Sequence, residues 1–349
     1  MKITIFQPNI RAYRYPLFES LVKEFGWDCT ICYGESPDES PEKTSCSRVK
    51  TPCFKVKGFN IQSKIQNFIS LSDVNIVCFD LHWPLPIIFG LLFKSKFKLL
   101  FWGHGLGRSE LAAKIKLWLI NRSQGIIVYG YEGKKELLKR GVEENKIYVA
   151  PNTIFVGNAE DCSKQEKKHF LYVGRLQERK GLDQLLQSFA LYKKGGGRYH
   201  LVILGDGNIL KDLKKQAEYL DLSSSVIFEN GTTEEEKLRS IFAHAAAYVS
   251  PGAVGLGLLH AFSYGVPVVT MNKEGHGPEI EWLENGRNGF LVSPDVEILS
   301  KVLMRLDKNQ KDAMEMGAEA FLTYKYKVNP EIMLQGFSSA VNHALGHAV

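Results

Sequence analysis

The feature that most restricts the fold is an alternation of short apolar segments with segments of helical spacing, which runs twice along the chain. In the first half, apolar runs at residues 2–6 and 97–102 alternate with helical patterns such as Tyr15–Phe25. The alternation stops at the polar segment 157–168 and restarts at His169–Val173. Strands that alternate with helices favour parallel sheets covered by helices on both faces. We therefore predict an α/β protein with two doubly wound sheets in tandem.

The length of 349 residues suits two domains of about 150–175 residues each. We expect an N-terminal domain at residues 1–160 and a C-terminal domain at residues 165–327. The helical pattern at residues 328–349 is expected to pack back onto the N-terminal domain. Ligands of open parallel sheets bind beyond the carboxyl ends of the strands, so the expected place for function is an interdomain cleft.

Two stretches of the N-terminal half carry weaker structural signals. Residues 35–60 are polar and contain three prolines, and we expect a loop there. Residues 84–93 form the longest apolar run, about half of the ~20 residues that span a bilayer, so we expect a buried helix. No charged segment followed by an apolar one opens the sequence, and no signal peptide is expected.

The positive charge of the chain is concentrated in its first half. Residues 1–160 hold 22 basic and 15 acidic side chains, whereas the rest holds 22 and 23. Residues 43–122 alone hold 13 basic and 3 acidic side chains, a net charge of +10. Such a field predicts an anionic partner: phospholipid, a phosphate-bearing substrate or nucleic acid. Nucleic acid is disfavoured because no recognition motif accompanies the charge.

The six cysteines show no pattern of a disulfide framework or a zinc site. Cys29 and Cys32 form one Cys-x-x-Cys pair within a predicted strand, without a second pair or a histidine at zinc-like spacing. Free thiols in a reduced cytosol are expected.

Three segments of the second half place glycine or cations directly after predicted strands. Arg175 and Lys180 lie in a loop between a strand and a helix, where a guanidinium and an ammonium can hold a diphosphate. Gly205 follows the next strand in a Gly-Asp-Gly turn. Gly255 and Leu256 open a short apolar helix, and their amides offer a seat for a phosphate. Taken singly, the first segment is better explained as a solvated basic loop and the second as a plain turn.

The order of these motifs resembles glycosyltransferase family 4. Val-Gly-Arg-Leu-x-x-x-Lys-Gly, Leu-Gly-Asp-Gly, a Pro-x-x-x-Gly-Leu helix, Gly-Pro-Glu-Ile and Asn-Gly-x-x-Gly-Phe-Leu-Val follow one another over residues 169–292. The first half is similar only through its strand order, a Gly-His-Gly loop and an Ala-Pro-Asn segment. The resemblance implies the GT-B architecture of two Rossmann-like domains, a retaining mechanism, a nucleotide-sugar substrate, and no metal or other cofactor.

The resemblance also implies roles for individual residues. Catalytic roles fall to His104, beside the transferred sugar, and to Arg175 and Lys180, on the donor diphosphate and the leaving nucleotide. The implied donor-binding set is Gly174, Arg175, Lys180, Gly205, Asn230, Gly231, Thr232, Gly252, Gly255, Leu256, His260 and Glu279. Among these, residues 230–232 are expected near the nucleobase.

The sequence departs from the family at three places. Most members carry two glutamates eight residues apart, where this chain has Gly252 and His260. A neutral histidine can still hydrogen-bond a ribose hydroxyl, and Glu279 is a remaining carboxylate near the predicted cleft. The loop after the first strand lacks the usual glycine pair and holds Arg11 and Arg14, which are weak candidates for an acceptor phosphate.

We therefore expect a glycosyltransferase of hexosyltransferase type that uses a UDP-sugar, or alternatively a GDP-sugar. Its acceptor would be a glycan or lipid-linked glycan in surface polysaccharide or lipopolysaccharide synthesis. Lysines interleaved with apolar residues at 89–100, with Lys114, Lys116 and Trp118 after them, favour peripheral attachment of residues 43–122 to an anionic membrane on the cytoplasmic face. Two alternatives are a catalytically silent scaffold and a nucleotide-sugar epimerase.

Overall fold

A computed structural model describes residues 1–35, 44–69, 71–92 and 97–347, and they form two compact units. Unit 1 comprises Met1–Phe155 and Pro330–Val349, and unit 2 comprises Val156–Asn329. The predicted fold class is confirmed, because each unit contains one parallel sheet of an α/β fold. Phe93 at the end of the predicted apolar helix, and the lysines at 94 and 96, lie outside the described residues.

Unit 1 is built on a seven-stranded parallel sheet in the order β3-β2-β1-β6-β7-β8-β9. Its strands are β1 Lys2–Asn9, β2 Asp28–Glu35, β3 Ser47–Lys50, β4 Cys53–Val56, β5 Phe59–Gln62, β6 Val74–Cys78, β7 Lys98–Gly103, β8 Gly125–Val128 and β9 Ile147–Val149. Its helices are α1 Tyr15–Phe25, α2 Gln66–Ile69, α3 Pro84–Leu92, α4 Glu110–Asn121 and α5 Tyr131–Lys139, with a last helix at Pro330–Leu345.

Unit 2 is built on a six-stranded parallel sheet in the order β12-β11-β10-β13-β14-β15. Its strands are β10 His169–Val173, β11 His200–Leu204, β12 Val226–Glu229, β13 Ala245–Val249, β14 Val268–Met271 and β15 Gly289–Val292. Its helices are α6 Leu182–Lys194, α7 Leu210–Tyr219, α8 Glu235–Ala243, α9 Gly257–Ser263, α10 Val296–Lys308 and α11 Gln310–Thr323, and the helix at Pro330–Leu345 is α12. The direction of strand addition reverses between β10 and β13, which is where such sheets bind ligands.

Local sequence explains where several helices begin and end. Helix α1 ends at Gly26, whose φ of 64° is a left-handed conformation that glycine adopts without a steric cost. Helix α4 begins after Ser109, whose hydroxyl accepts a hydrogen bond from the amide of Ala112. Helix α10 begins after Asp295, whose carboxylate accepts from the amides of Glu297 and Ile298.

The apolar side chains of unit 1 form two buried clusters. The side chains of Met333, Leu334 and Phe337 on α12 belong to the cluster that contains Ile5. The ring of Phe337 meets the ring of Trp102 edge to face, with centroids 4.8 Å apart. Helix α12 therefore completes the core of unit 1.

The prediction of a loop over residues 35–60 is wrong, because β3, β4 and β5 lie within or across this stretch. Strand β3 extends the sheet beside β2, while β4 and β5 form a separate antiparallel hairpin. Val56 pairs with Phe59 across a two-residue turn in which Lys57 and Gly58 have φ values of 46° and 86°. Positive φ at both positions is typical of a type I′ turn, but the usual Asn-Gly signal is absent here.

A second difference concerns the start of β13. The helical pattern at residues 234–245 predicts a helix through Ala245, whereas β13 already begins at that residue and is buried throughout. Alanine favours helices, but small side chains are also suited to a central strand that is covered on both faces.

Candidate functional site

The carboxyl edge of the unit 2 sheet is formed by loops that are joined to each other through the backbone. The amide of Gly174 donates to the carbonyl of Leu204 over 3.0 Å, and the amide of Leu176 donates to the carbonyl of Asp206 over 2.9 Å. A β-carbon placed on Gly205 would overlap the carbonyl oxygen of Gly174. The glycine is therefore required for the close approach of the two loops.

The loop that follows β12 is attached to the same edge by Asp206. One carboxylate oxygen of Asp206 accepts a hydrogen bond from the amide of Gly231 over 3.0 Å. The amide of Gly205 donates to the carbonyl of Glu229 over 2.9 Å. These bonds bring Gly174, Gly205 and Gly231 to one edge of one sheet, as the sequence predicted for three separate loops.

The glycine-rich loop after β13 packs against the loop that carries Lys180. The amide of Gly252 donates to the carbonyl of Lys180 over 2.9 Å, and the amide of Ala253 donates to the carbonyl of Arg179 over 2.7 Å. The ammonium of Lys180 returns a hydrogen bond of 2.5 Å to the carbonyl of Ala253. A β-carbon on Gly252 would overlap the carbonyl of Arg179, so this backbone leaves no room for a side chain there.

A histidine and a glutamate hold the other side of the same loop. The amide of Val254 donates to Nδ1 of His276 over 3.1 Å, and Nε2 of His276 lies 2.9 Å from the carbonyl of Met271. These contacts fix the tautomer that is protonated on Nε2, and burial lowers the pKa of His276. The side chain of Glu279 is buried, and Oε2 lies 3.8 Å from the position of a β-carbon on Gly255.

His276 is a residue of this edge to which the sequence analysis gave no role. It directly precedes the Gly-Pro-Glu-Ile segment. The available signal was its position after a buried strand, where polar side chains face the carboxyl edge.

The two predicted diphosphate cations have different surroundings. Arg175 is exposed, and its carbonyl accepts a hydrogen bond of 2.9 Å from the hydroxyl of Tyr172. Lys180 is partly buried, and this burial, together with the charge of Arg179, lowers its pKa to about 8 against the opposing effect of Glu279. The charge of Lys180 therefore depends on pH near neutrality, and an anion beside it would favour the protonated form.

His260 lies on α9 and packs against aromatic rings. Its ring centroid is 4.7 Å from that of Phe242 and 5.6 Å from that of Tyr264. Burial lowers the pKa of His260 to about 4, so the imidazole is neutral at physiological pH. Its two ring nitrogens then offer one donor and one acceptor.

Unit 1 presents a different kind of cluster at the carboxyl edge of its own sheet. The guanidinium of Arg14 lies 4.6 Å from the ring centroid of Trp102, and it donates a 3.2 Å hydrogen bond to the hydroxyl of Tyr129. The ring of His104 meets that of Tyr129 edge to face at 4.6 Å. Packing of the His104 ring and the charges of Arg14 and Lys116 lower its pKa.

The two arginines of the first loop are placed differently. Arg14 contacts the aromatic rings described above, whereas Arg11 precedes the single helical turn Ala12–Arg14. The carbonyl of Arg11 accepts a hydrogen bond of 2.9 Å from the amide of Arg14. Arg14 is thus placed near His104, since its charge contributes to the lowered pKa of that histidine.

Comparison with known proteins agrees with this arrangement. Residues 159–323 match the family model described as glycosyl transferases group 1. A poly(ribitol-phosphate) alpha-N-acetylglucosaminyltransferase of Staphylococcus aureus is 23% identical over 64% of this chain and 44% of its own length. The chain spans about half the length of the curated relatives it matches.

Solved structures resemble the whole chain in fold. The lipopolysaccharide outer core galactosyltransferase WaaB is 17% identical, with a TM-score of 0.70 over 98% of this chain and 99% of that one. An Anabaena protein, Alr3699/HepE in complex with UDP, is 14% identical, with a TM-score of 0.73 over 98% of this chain and 100% of that one. The chain therefore has a GT-B-like fold, and its residues 159–323 are similar to the glycosyl transferases group 1.

Proposed function

We propose that this protein is a retaining glycosyltransferase that moves a sugar from a nucleotide-sugar donor to a glycan or lipid-linked acceptor. The observation that carries the proposal is the close packing of the Lys180 loop against the glycine-rich loop 252–257 at the carboxyl edge of the unit 2 sheet. A UDP-sugar is favoured over a GDP-sugar because the Anabaena protein of similar fold was crystallised with UDP. Surface polysaccharide or lipopolysaccharide synthesis is the proposed setting.

Unit 2 is the proposed donor-binding unit, and its cations act on the diphosphate. The ammonium of Lys180 is held beside the backbone of Ala253, and the side chain of Arg175 is exposed in the loop after β10. Negative charge develops on the nucleotide as the glycosidic bond breaks, so fixed cations there lower the barrier. Gly255 and Leu256 directly precede α9, where main-chain amides favour a phosphate oxygen.

The remaining donor contacts follow from the arrangement of the other loops. Asn230, Gly231 and Thr232, held beside Gly205 by Asp206, are assigned to the nucleobase. The neutral imidazole of His260 is assigned to a ribose hydroxyl.

A carboxylate for the donor sugar is supplied from a different position than in most family members. Gly252 has no space for a side chain, and its amide already donates to the carbonyl of Lys180, so this glycine positions the Lys180 loop at the donor site. The carboxylate of Glu279 lies near Gly255, and its charge opposes the lowering of the Lys180 pKa. We assign Glu279 to the donor site on that basis.

Unit 1 is the proposed acceptor-binding unit. His104 is assigned to the transferred sugar, where its lowered pKa keeps the imidazole neutral and able to hydrogen-bond a hydroxyl. Arg11 and Arg14 are assigned to an anionic group of the acceptor, and Arg14 already has a fixed orientation above Trp102.

We further propose that unit 1 attaches peripherally to the inner face of the cell membrane. The +10 charge of residues 43–122 supports this, since each basic residue near anionic lipid contributes about 1 kcal/mol. Among the helices of the described residues, none has the length and apolar character needed to cross a bilayer.

Nucleotide binding tests the donor site directly. UDP should raise the melting temperature of the purified chain more than GDP does, and calorimetry should give a UDP Kd that Lys180→Ala weakens about tenfold to a hundredfold. Lys194→Ala, an exposed lysine of unit 2, is the matched control and should leave the Kd unchanged. Absence of any nucleotide effect would reject the proposal, and binding without sugar transfer would favour a silent scaffold.

The pH dependence of UDP binding gives an independent check on Lys180. A lysine with a pKa of about 8 is mostly charged at pH 7 and about one-tenth charged at pH 9, so affinity should fall about tenfold between them. Lys180→Arg should retain affinity at pH 9, because a guanidinium stays protonated. Equal pH dependence in both proteins would show that another group controls binding.

A further inference from the structure

An apolar groove of about 400 Å³ lies between α3 and α4 of unit 1. All of its lining side chains are apolar, and they include Leu81, Ile88, Leu92, Ile115 and Trp118. Leu92 is 68% exposed, Trp118 49% and Ile88 47%. A contiguous exposed apolar surface of this kind indicates a binding site, whereas single exposed apolar residues do not.

The groove borders the core of unit 1, and Ile87 and Leu119 belong to both. On α4, Ala113 and Ile120 are buried in that core, whereas Leu111, Ile115 and Trp118 recur at spacings of four and three residues along the exposed side. That spacing produces one continuous stripe along a helix. Helix α4 thus has an apolar side that the core covers and an apolar stripe that is largely exposed.

The surroundings of the groove are cationic. The guanidinium of Arg122 lies 4.1 Å from the ring centroid of Trp118, at the end of the stripe. Lys98 and Lys114 are exposed nearby in sequence, and residues 43–122 hold only 3 acidic side chains against 13 basic ones. A second copy of this chain would bring the same positive charge against itself, which disfavours a symmetric dimer through this face.

The β4–β5 hairpin, next to the start of α3, also carries exposed apolar side chains and lysines. The amide of Asn60 donates to the carbonyl of His82 over 2.7 Å, which attaches the hairpin to the residues before α3. Phe54, Val56 and Phe59 on this hairpin are all about half exposed, and Lys55 and Lys57 alternate with them. Apolar side chains between lysines suit a surface that is both apolar and anionic.

We propose that the groove between α3 and α4 is a seat for one hydrocarbon chain of an anionic phospholipid, with Arg122 beside the phosphate of its headgroup. This proposal rests on the membrane attachment proposed above. It identifies the groove as the part of unit 1 that contacts the lipid. It predicts that the acyl chain contacts Trp118, which lies between the apolar lining and the guanidinium of Arg122.

Vesicles that contain phosphatidylglycerol with brominated acyl chains test this contact, because bromine quenches tryptophan only at short range. The chain has five tryptophans; Trp27, Trp102 and Trp282 are buried, and the partly exposed Trp83 is replaced in a Trp83→Phe parent so that Trp118 is the reporter. We expect vesicle binding to quench fluorescence in this parent, and we expect the added Trp118→Phe to lose that quenching while it retains binding. Quenching that persists in Trp118→Phe, or vesicle binding without quenching, would overturn the proposal.

A pair of charge insertions separates the groove from general electrostatics. Ile88→Glu should weaken binding to these vesicles about tenfold or more, whereas Leu191→Glu on α6 of unit 2, 41% exposed, should leave it unchanged. Equal losses in both variants, no binding of the wild-type chain, or a concentration-dependent dimer without lipid would each contradict the lipid seat.

The melting-temperature increase with UDP, measured on the same samples, separates this proposal from the donor-site proposal. A chain that responds to UDP but ignores vesicles rejects the lipid seat alone. A chain that binds vesicles through Trp118 but ignores UDP rejects the donor site alone.

Discussion

The two units have similar parallel sheets, of seven and six strands, but the carboxyl edges of these sheets are formed by different kinds of contact. In unit 2 the edge is made of main-chain contacts: loops at Gly174, Gly205 and Gly252 meet through amides and carbonyls at positions where no side chain fits. In unit 1 the edge is made of side chains: Arg14, Trp102 and Tyr129 stack and hydrogen-bond around His104.

This difference has consequences for both recognition and function. An edge of main-chain amides recognises groups that every nucleotide donor shares, such as phosphate oxygens, and it depends on glycine at fixed positions. An edge of side chains can change its chemistry by substitution while the backbone stays the same. We therefore expect small steric changes at the unit 2 edge to lower the free energy of unfolding strongly. Substitutions at the unit 1 edge should lower it less.

The largest expected effect is that of a single methyl group on the main-chain edge. Gly205→Ala places a β-carbon against the carbonyl of Gly174 and should lower the free energy of unfolding of unit 2 by roughly 3 kcal/mol or more. Gly255→Ala, whose β-carbon would make only an ordinary contact of 3.8 Å, is the control and should change it by less than about 1 kcal/mol. Urea unfolding of the purified variants measures both, and equal stabilities would show that the backbone edge is not rigid.

A side-chain removal at the unit 1 edge should have an intermediate effect. Arg14→Met keeps the aliphatic stem but removes the cation above Trp102 and the hydrogen bond to Tyr129, at an expected cost of about 1–3 kcal/mol in the stability of unit 1. Arg140→Met is the matched variant and should cost less, because it removes only an exposed ion pair with Glu110. Urea unfolding followed by near-ultraviolet circular dichroism of the aromatic residues provides the measurement; a larger loss in Arg140→Met would contradict the cluster described here.

The same contrast explains which parts of the molecule could be predicted from sequence. The strand of His169–Val173 and the loops at Gly205 and Gly252 were predictable because a parallel sheet and close backbone contacts impose apolar runs and glycines at defined positions. The β4–β5 hairpin was missed because its turn uses Lys57 and Gly58 in place of a stronger turn signal.

The side-chain clusters left no comparable signal in the sequence. Arg14, His104 and Tyr129 come from three different loops or strand ends, and no spacing in the sequence connects them. The role of His276 was also missed, because its two hydrogen bonds to the backbone of Val254 and Met271 depend on how one loop folds beside another. Tertiary contacts of this kind are fixed by packing and not by a local pattern.

The smallest expected effect concerns the electrostatics of the unit 1 edge. The pKa of His104 is lowered by the loss of water around its ring and by the charges of Arg14 and Lys116, so removal of one of these charges should raise it slightly. Lys116→Met removes a cation whose ammonium donates to the carbonyl of Gly105 over 2.8 Å, next to His104. Lys114→Met, an exposed lysine on the same helix, should leave the titration of His104 unchanged.

Histidine NMR titration resolves this difference and gives its sign. A group whose pKa is lowered in the folded protein is neutral over a wider pH range, so acid should protonate His104 below its ordinary value and the Lys116→Met curve should move back toward that value. If Lys114→Met shifted the titration as much as Lys116→Met, the effect would belong to the general positive field of residues 43–122 and not to the cluster around His104. The electrostatic effects at the unit 1 edge would then extend further than the contacts at the unit 2 edge. Substitutions anywhere in the basic surface of unit 1 would change the pKa of His104.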